Sequence, residues 1–129
     1  MGLLLDTHVL VWWLINSSRL SRAALDAIAA PANRAYVSAV AAWEIAIKVS
    51  LGKMPVAPNL ASWLPMELQT NRFTTLPISL EHALAVEHLP RHHNDPFDRL
   101  LVAQAITEGL TLVTGDPVFV RYGIPLIRC

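Results

Sequence analysis

The chain has one cysteine in 129 residues, and it is the terminal Cys129. An internal disulfide is excluded, and a reducing, cytoplasmic setting is the expected one. Charge is scarce too, at 16% of residues, and ten acidic and ten basic residues cancel to zero. A protein that grips a polyanion by neutralising phosphates is usually basic over at least one face. Nothing global here steers nucleic acid, so any recruitment of it must be local. Long apolar runs are missing: Val9 to Ile15 falls far short of the roughly 20 residues that span a bilayer, and no membrane partner is expected. The segment from Met1 to Leu14 contains Asp6 and His8 and lacks a basic n-region, which reads against a signal peptide. None of the five glycines belongs to a Gly-x-Ser-x-Gly elbow, a Gly-x-x-x-x-Gly-Lys loop or a Gly-x-Gly-x-x-Gly fingerprint. The histidines lack the spaced Cys or His partners of a zinc site.

What remains is apolar. Hydrophobic residues make up 53%, four of them tryptophan, and the mean hydropathy is +0.41. A single domain over 1–129 is expected, large enough to bury a core. The apolar excess predicts a surface that meets another protein. Trp12, Trp13, Trp43 and Trp63 have aliphatic rather than basic neighbours, so they read as core or interface and not as base-stacking platforms.

Gly2 to Leu5 is a short aliphatic run, followed by a helix through Ile15 that Asn16 to Ser18 break. Ser21 caps a second helix closed by Pro31. Ala35 to Ser38 reads as a buried strand, Ala39 to Leu51 as a helix stopped by Gly52, 55–59 as a loop and Ala61 to Leu68 as a helix. Strand Phe73 to Ile78 is interrupted by Pro77; helix Leu80 to His88 and a polar loop, Leu89 to Asn94, follow it. Pro96 to Glu108 is a helix, and Leu110 to Thr114 and Ile124 to Ile127 are strands. Strands alternating with helices predict βαβ crossovers and an α/β fold, a three-layer α/β/α sandwich on a central parallel sheet.

Asp6, Glu44, Asp98 and Asp116 lie where apolar runs give way to a helix or turn, or just inside the helix beyond. A parallel sheet gathers such positions at the carboxyl ends of its strands, where ligands bind. Two carboxylates about 4 Å apart repel by roughly 4 kcal/mol at an effective dielectric of about 20. A divalent cation is the simplest remedy.

Each acid also has a plain structural reading. Asp6 serves equally as the N-cap of the next helix, a role Thr7 could take instead, or Thr7 could support Asp6. Glu44 shares a helical face with Val40, Ile47 and Leu51, and Lys48 one turn on could pair with it. In Asn94-Asp95-Pro96-Phe97-Asp98, capping before a first-turn proline accounts for Asp95, while Asp98 sits where the helix dipole welcomes an acid. Asp116, after Leu112-Val113-Thr114-Gly115 and before Pro117, could cap a short helix. One metal site explains all four placements together. His92 and His93 could touch a phosphate, but a solvated loop is the preferred reading, and His8 is expected to pack on the first helix.

Four blocks carry a resemblance: Leu-Leu-Asp-Thr-His-Val-Leu-Val-Trp-Trp (4–13), Ser-Ala-Val-Ala-Ala-Trp-Glu-Ile (38–45), Asp-Pro-Phe-Asp-Arg-Leu-Leu-Val-Ala-Gln-Ala (95–105) and Leu-Val-Thr-Gly-Asp (112–116). In this order, over essentially the whole chain, they resemble a PIN domain, nearest the VapC-type toxins of toxin–antitoxin pairs. The resemblance implies a single-strand-specific endoribonuclease that uses Mg²⁺ or Mn²⁺. Asp6, Glu44, Asp98 and Asp116 match the family's acids, with Asp6, Asp98 and Asp116 as metal ligands and Glu44 acting on a water or a second metal. Thr7 and Thr114 match supporting hydroxyls. The implied partners are RNA, a small antitoxin and a second copy in a homodimer. Two rivals stand beside it: another Mg²⁺-dependent phosphotransfer protein, against which the His8 in place of a second aspartate argues, and a non-catalytic interaction module whose acids only cap helices.

Overall fold

The computed structural model describes residues 1–54 and 59–129. Most of the loop expected at 55–59 lies outside the described residues. The elements run β1 (Gly2–Leu5), α1 (Thr7–Leu14), α2 (Arg22–Ala29), β2 (Arg34–Ser38), α3 (Ala39–Ser50), α4 (Leu60–Thr70), β3 (Thr74–Leu76), α5 (Leu80–Ala85), a 3-10 turn (Val86–His88), α6 (Pro96–Glu108), β4 (Thr111–Thr114), a 3-10 helix (Pro117–Tyr122) and β5 (Leu126–Arg128). The five strands form one sheet in the order β3-β2-β1-β4-β5, and every pairing is parallel. The expected parallel α/β architecture is the one found.

β1 is central because it is apolar on both faces: Leu3, Leu4 and Leu5 are all fully buried. The two-residue alternation of a strand sends them to different cores. Leu3 and Leu5 pack with Val9, Ala24, Ile28, Val37, Leu64 and Val113. Leu4 packs on the other side with Val40, Leu101, Val102, Leu112 and Phe119. Helix α6 ends at Gly109, whose φ of 66° is the left-handed conformation that closes helices.

Most boundaries fall within two residues of the sequence expectation, and three of the differences have a clear local cause. β3 stops at Leu76 rather than Ile78, since Pro77 has no N–H to continue the ladder. The helix expected over Leu80 to His88 tightens into a 3-10 turn after Ala85. β5 begins at Leu126, two residues late, because Pro125 meets β4 only through its carbonyl, which accepts from Leu112 N–H. The apolar face read through Glu44 is also shorter than expected: Val40 is buried, but Leu51 is 61% exposed.

The strand order sets the position of the site. From β1 the chain builds outward through β2 to β3, then returns to place β4 on the other side of β1. The order reverses at β1, and the carboxyl ends of β1 and β4 flank the crevice that such a reversal opens.

Candidate active site

Asp6 follows the last residue of β1, its N–H bonded to Val113 O across the sheet at 3.0 Å. It is the N-cap residue of α1, yet its carboxyl makes no cap hydrogen bond. Instead Oδ2 accepts from the Thr114 hydroxyl at 2.7 Å. Asp6 is buried, and burial raises its pKa; the Thr114 bond, nearby His8 and the Thr7 N–H pull the other way, and Glu44 adds to the rise.

Glu44 lies on α3, which starts at the end of β2 under the Ser38 cap. It is 5% exposed and held from both sides. The Thr7 hydroxyl donates to Oε1 at 2.7 Å, and Lys48 Nζ donates to Oε2 at 2.7 Å. The ion pair weighed from sequence is therefore formed. It is not a surface pair, because Glu44 is buried while Lys48 is half-buried. The Thr7 hydroxyl supports Glu44, while its backbone N–H favours the charged form of Asp6.

Asp98 sits in the first turn of α6. The cap is Asp95, whose Oδ1 accepts from Asp98 N–H at 3.0 Å, with Pro96 at the first helical position. This leaves the Asp98 carboxyl free to face inward. Burial first, and then the negative charges of Asp95, Asp6, Glu44 and Asp116, raise its pKa to about 8. Four other carboxylates are thus close enough for their fields to reach it.

Asp116 behaves as its structural reading expected. It is exposed, and Oδ1 accepts from Val118 N–H at 3.0 Å, capping the 3-10 helix. Its own N–H donates to Thr114 Oγ1 at 3.0 Å, which links it to Asp6 through one hydroxyl.

Capping thus accounts for the carboxyls of Asp95 and Asp116 but not for those of Asp6, Glu44 or Asp98. The donor set is all hard oxygen, as Mg²⁺ and Mn²⁺ prefer. Among the described residues Asp6 has no cationic partner at ion-pair distance, and no three acids, imidazoles or thiols are gathered closely enough to enclose an ion. That open arrangement fits Mg²⁺, which takes one or two carboxylates and keeps several waters.

The preferred reading of His93 as a solvated loop residue is corrected. Its ring is half-buried, with Nε2 3.2 Å from Asp98 Oδ2 and Nδ1 2.7 Å from the Tyr122 hydroxyl. The loop is not free, because the buried Arg99 guanidinium bonds the carbonyls of Val86, Leu89, Pro90 and His93. Tyr122 was not singled out in the sequence; its place near Asp98 depends on the 3-10 helix that Asp116 caps. His8 is exposed, with its ring tilted toward Trp12 at 6.1 Å. Trp43 is 55% exposed and meets Phe97 edge-on at 5.0 Å; the two precede Glu44 and Asp98 in the chain. A cavity of about 720 Å³ lies elsewhere, at the starts of β2 and β3, lined by Trp13, Asn33, Arg34, Arg72 and Thr74 and by no acid.

Residues 3–125 match the profile of the family described as PIN domain. A protein named Ribonuclease VapC22, from Mycobacterium tuberculosis, is 37% identical over 114 residues, which is 88% of this chain and 85% of that protein. Among solved structures, a chain of VapBC2 from Rickettsia felis, bound to a DNA fragment from its promoter, superposes with a TM-score of 0.73 at 20% identity, covering 99% of this chain and 98% of that one. DNA-bound VapBC from Salmonella typhimurium gives 0.70 at 17% identity, with the same coverage. At such identities these two speak for the fold alone. With a family profile over nearly all its length and a close VapC relative, the chain belongs to the PIN-domain family, among its VapC proteins.

Proposed function

We propose that the protein is a Mg²⁺- or Mn²⁺-dependent endoribonuclease that hydrolyses single-stranded RNA and serves as the toxin of a toxin–antitoxin pair. One observation carries the catalytic part: burial first, and then the charges of Asp95, Asp6, Glu44 and Asp116, raise the Asp98 carboxyl to a pKa of about 8, so acids from four separate parts of the chain act on one another. Such perturbation marks functional sites more often than structural ones. The relative named a ribonuclease supports RNA as the substrate.

Asp6 and Asp98 would hold the cation directly, with Asp116 reaching it through water. When bound, the cation would supply charge neutralisation for the phosphate and a water of lowered pKa. Thr114 fixes the Asp6 carboxyl, so the pocket pays little ordering entropy when a ligand enters. Glu44 is clamped by Thr7 and Lys48, but each oxygen keeps a lone pair with which to orient or deprotonate the attacking water. Hydrolysis of this type leaves 5′-phosphate and 3′-hydroxyl ends.

The antitoxin would cover exposed apolar side chains such as Ile15, Trp43, Leu51 and Met66, each more than half exposed. The toxin–antitoxin complexes among the structural neighbours support such a partner. A homodimer and a cytoplasmic location complete the proposal; among the described residues no helix is long and apolar enough to cross a membrane. The test is incubation of the purified protein with single-stranded and duplex RNA, with Mg²⁺, Mn²⁺ or EDTA. Metal-dependent cleavage of the single strand, with 5′-phosphate ends, is expected. Ends carrying 2′,3′-cyclic phosphate, or cleavage in EDTA, would overturn the scheme.

A further inference from the structure

We infer that His93, oriented by Tyr122 and Arg99, is a positioning residue that presents the Asp98 carboxylate to the metal. The inference rests on the reading of Asp98 as a ligand.

The argument is one of hydrogen-bond polarity. Arg99 has only donors, and among the described residues its buried guanidinium meets no carboxylate, only four carbonyls and the Tyr122 oxygen, the last at 3.4 Å from Nη1. With one lone pair of the Tyr122 oxygen engaged, its own proton is free to point at His93 Nδ1, 2.7 Å away. A neutral imidazole that accepts at Nδ1 carries its proton on Nε2, and Nε2 lies 3.2 Å from Asp98 Oδ2. The contacts from Arg99 Nη1 through the Tyr122 hydroxyl to His93 thereby end on one carboxylate oxygen. The other oxygen, Oδ1, has no hydrogen bond among the described residues and is left to face the cation. Phe119 and Tyr122 stand edge-on to the His93 ring, at 6.1 and 5.6 Å between centroids, and restrict its rotation.

The residues come from separate elements. His93 is in the loop before α6, Arg99 staples that loop from within α6, and Tyr122 closes the 3-10 helix capped by Asp116. Outer-shell partners of metal ligands typically govern affinity by about 10–100-fold.

The experiment is calorimetric titration of Mn²⁺ into the wild-type protein and the His93→Ala, His93→Gln and Tyr122→Phe variants, joined to ¹⁵N NMR of the histidine rings. His93→Ala should weaken Mn²⁺ binding by about 10–100-fold. His93→Gln, whose amide N–H can replace the Nε2 donor, should recover most of the loss. Tyr122→Phe should leave the melting temperature nearly unchanged yet let the Nδ1–H tautomer appear. Wild-type affinity in His93→Ala or His93→Gln-insensitive loss would overturn the positioning role, and an Nδ1–H tautomer in the metal-free wild type would overturn the polarity whether or not Mn²⁺ binds. Failure of the wild type itself to bind Mn²⁺ would instead remove the metal reading of Asp98, and with it the role given to His93.

Discussion

The Thr114 hydroxyl donates to Asp6 Oδ2 at 2.7 Å while accepting from the Asp116 amide at 3.0 Å. One small side chain at the end of β4 therefore ties the acid after β1 to the turn that carries Asp116. Leaving a buried acceptor without its donor costs about 1–3 kcal/mol. Thr114→Val, which keeps the shape and removes the donor, should cost about 1–3 kcal/mol in urea unfolding and lower RNA cleavage. Thr114→Ser should keep both. Equal stability of the valine variant would show that this bond does not hold Asp6.

Glu44→Gln and Asp6→Asn separate chemistry from folding. Glu44→Gln keeps an acceptor for Thr7 but cannot take a proton, so cleavage should fall by about 10²–10⁴-fold, the usual range for losing a general base. Asp6→Asn should abolish cleavage without loss of stability, because the amide removes a buried charge whose ionisation the site already disfavours. Circular dichroism and thermal melts should match the wild type. Normal cleavage by both variants would refute the assigned roles.

The Asp98 carboxyl gives a pH dependence with a definite sign. In the metal-free fold its pKa is about 8, against 3.8 for the free side chain. The folded state thus binds more protons between these values, so the contribution of Asp98 to stability is full below about pH 4 and is lost as pH rises toward 8. A cation competes with that proton. Mn²⁺ affinity should climb from pH 6 to about pH 8 and then level off, with proton release measurable at pH 6.5 by calorimetry in buffers of different ionisation enthalpy. Asp98→Asn should flatten the stability profile over this range; an unchanged profile would place the titrating group elsewhere.

Gly115 lies between Thr114 and Asp116, and a Cβ there would come within 2.9 Å of the Trp12 ring. Gly115→Ala must displace that indole or the turn, at a cost of about 1–3 kcal/mol. Denaturant unfolding followed by tryptophan fluorescence would measure it, with a shift in native emission as Trp12 moves. Wild-type stability together with unshifted emission would mean the turn yields freely.

Much of the sheet was legible because its strands are apolar on both faces. Leu3 to Leu5 and Leu112 to Val113 can sit only in a covered parallel sheet, and Ser38, Asp95-Pro96 and Gly109 punctuate helices by local rules of capping and backbone conformation. The weak ends were those governed by proline. At Leu76 and Leu126 the apolar pattern ran on past the residues whose amides could join the ladder.

The site divides along the same line. Asp6, Glu44, Asp98 and Asp116 stood out in the chain because each acid interrupts an apolar pattern, and such interruptions are local facts. Which carboxyls are capping groups and which are free could not be read there, since an N-cap aspartate and an inward-facing one differ only in a side-chain torsion. His93 and Tyr122 were hidden for a stronger reason. They are 29 residues apart, and they meet over Asp98 because β4 returns beside β1 and because Arg99 anchors the intervening loop. Local pattern thus decided the elements and nominated the acids, while the long-range hydrogen bonds from Thr114 to Asp6 and from Thr7 to Glu44 came from packing, which alone brings donors distant in the chain to 2.7 Å from a buried carboxyl.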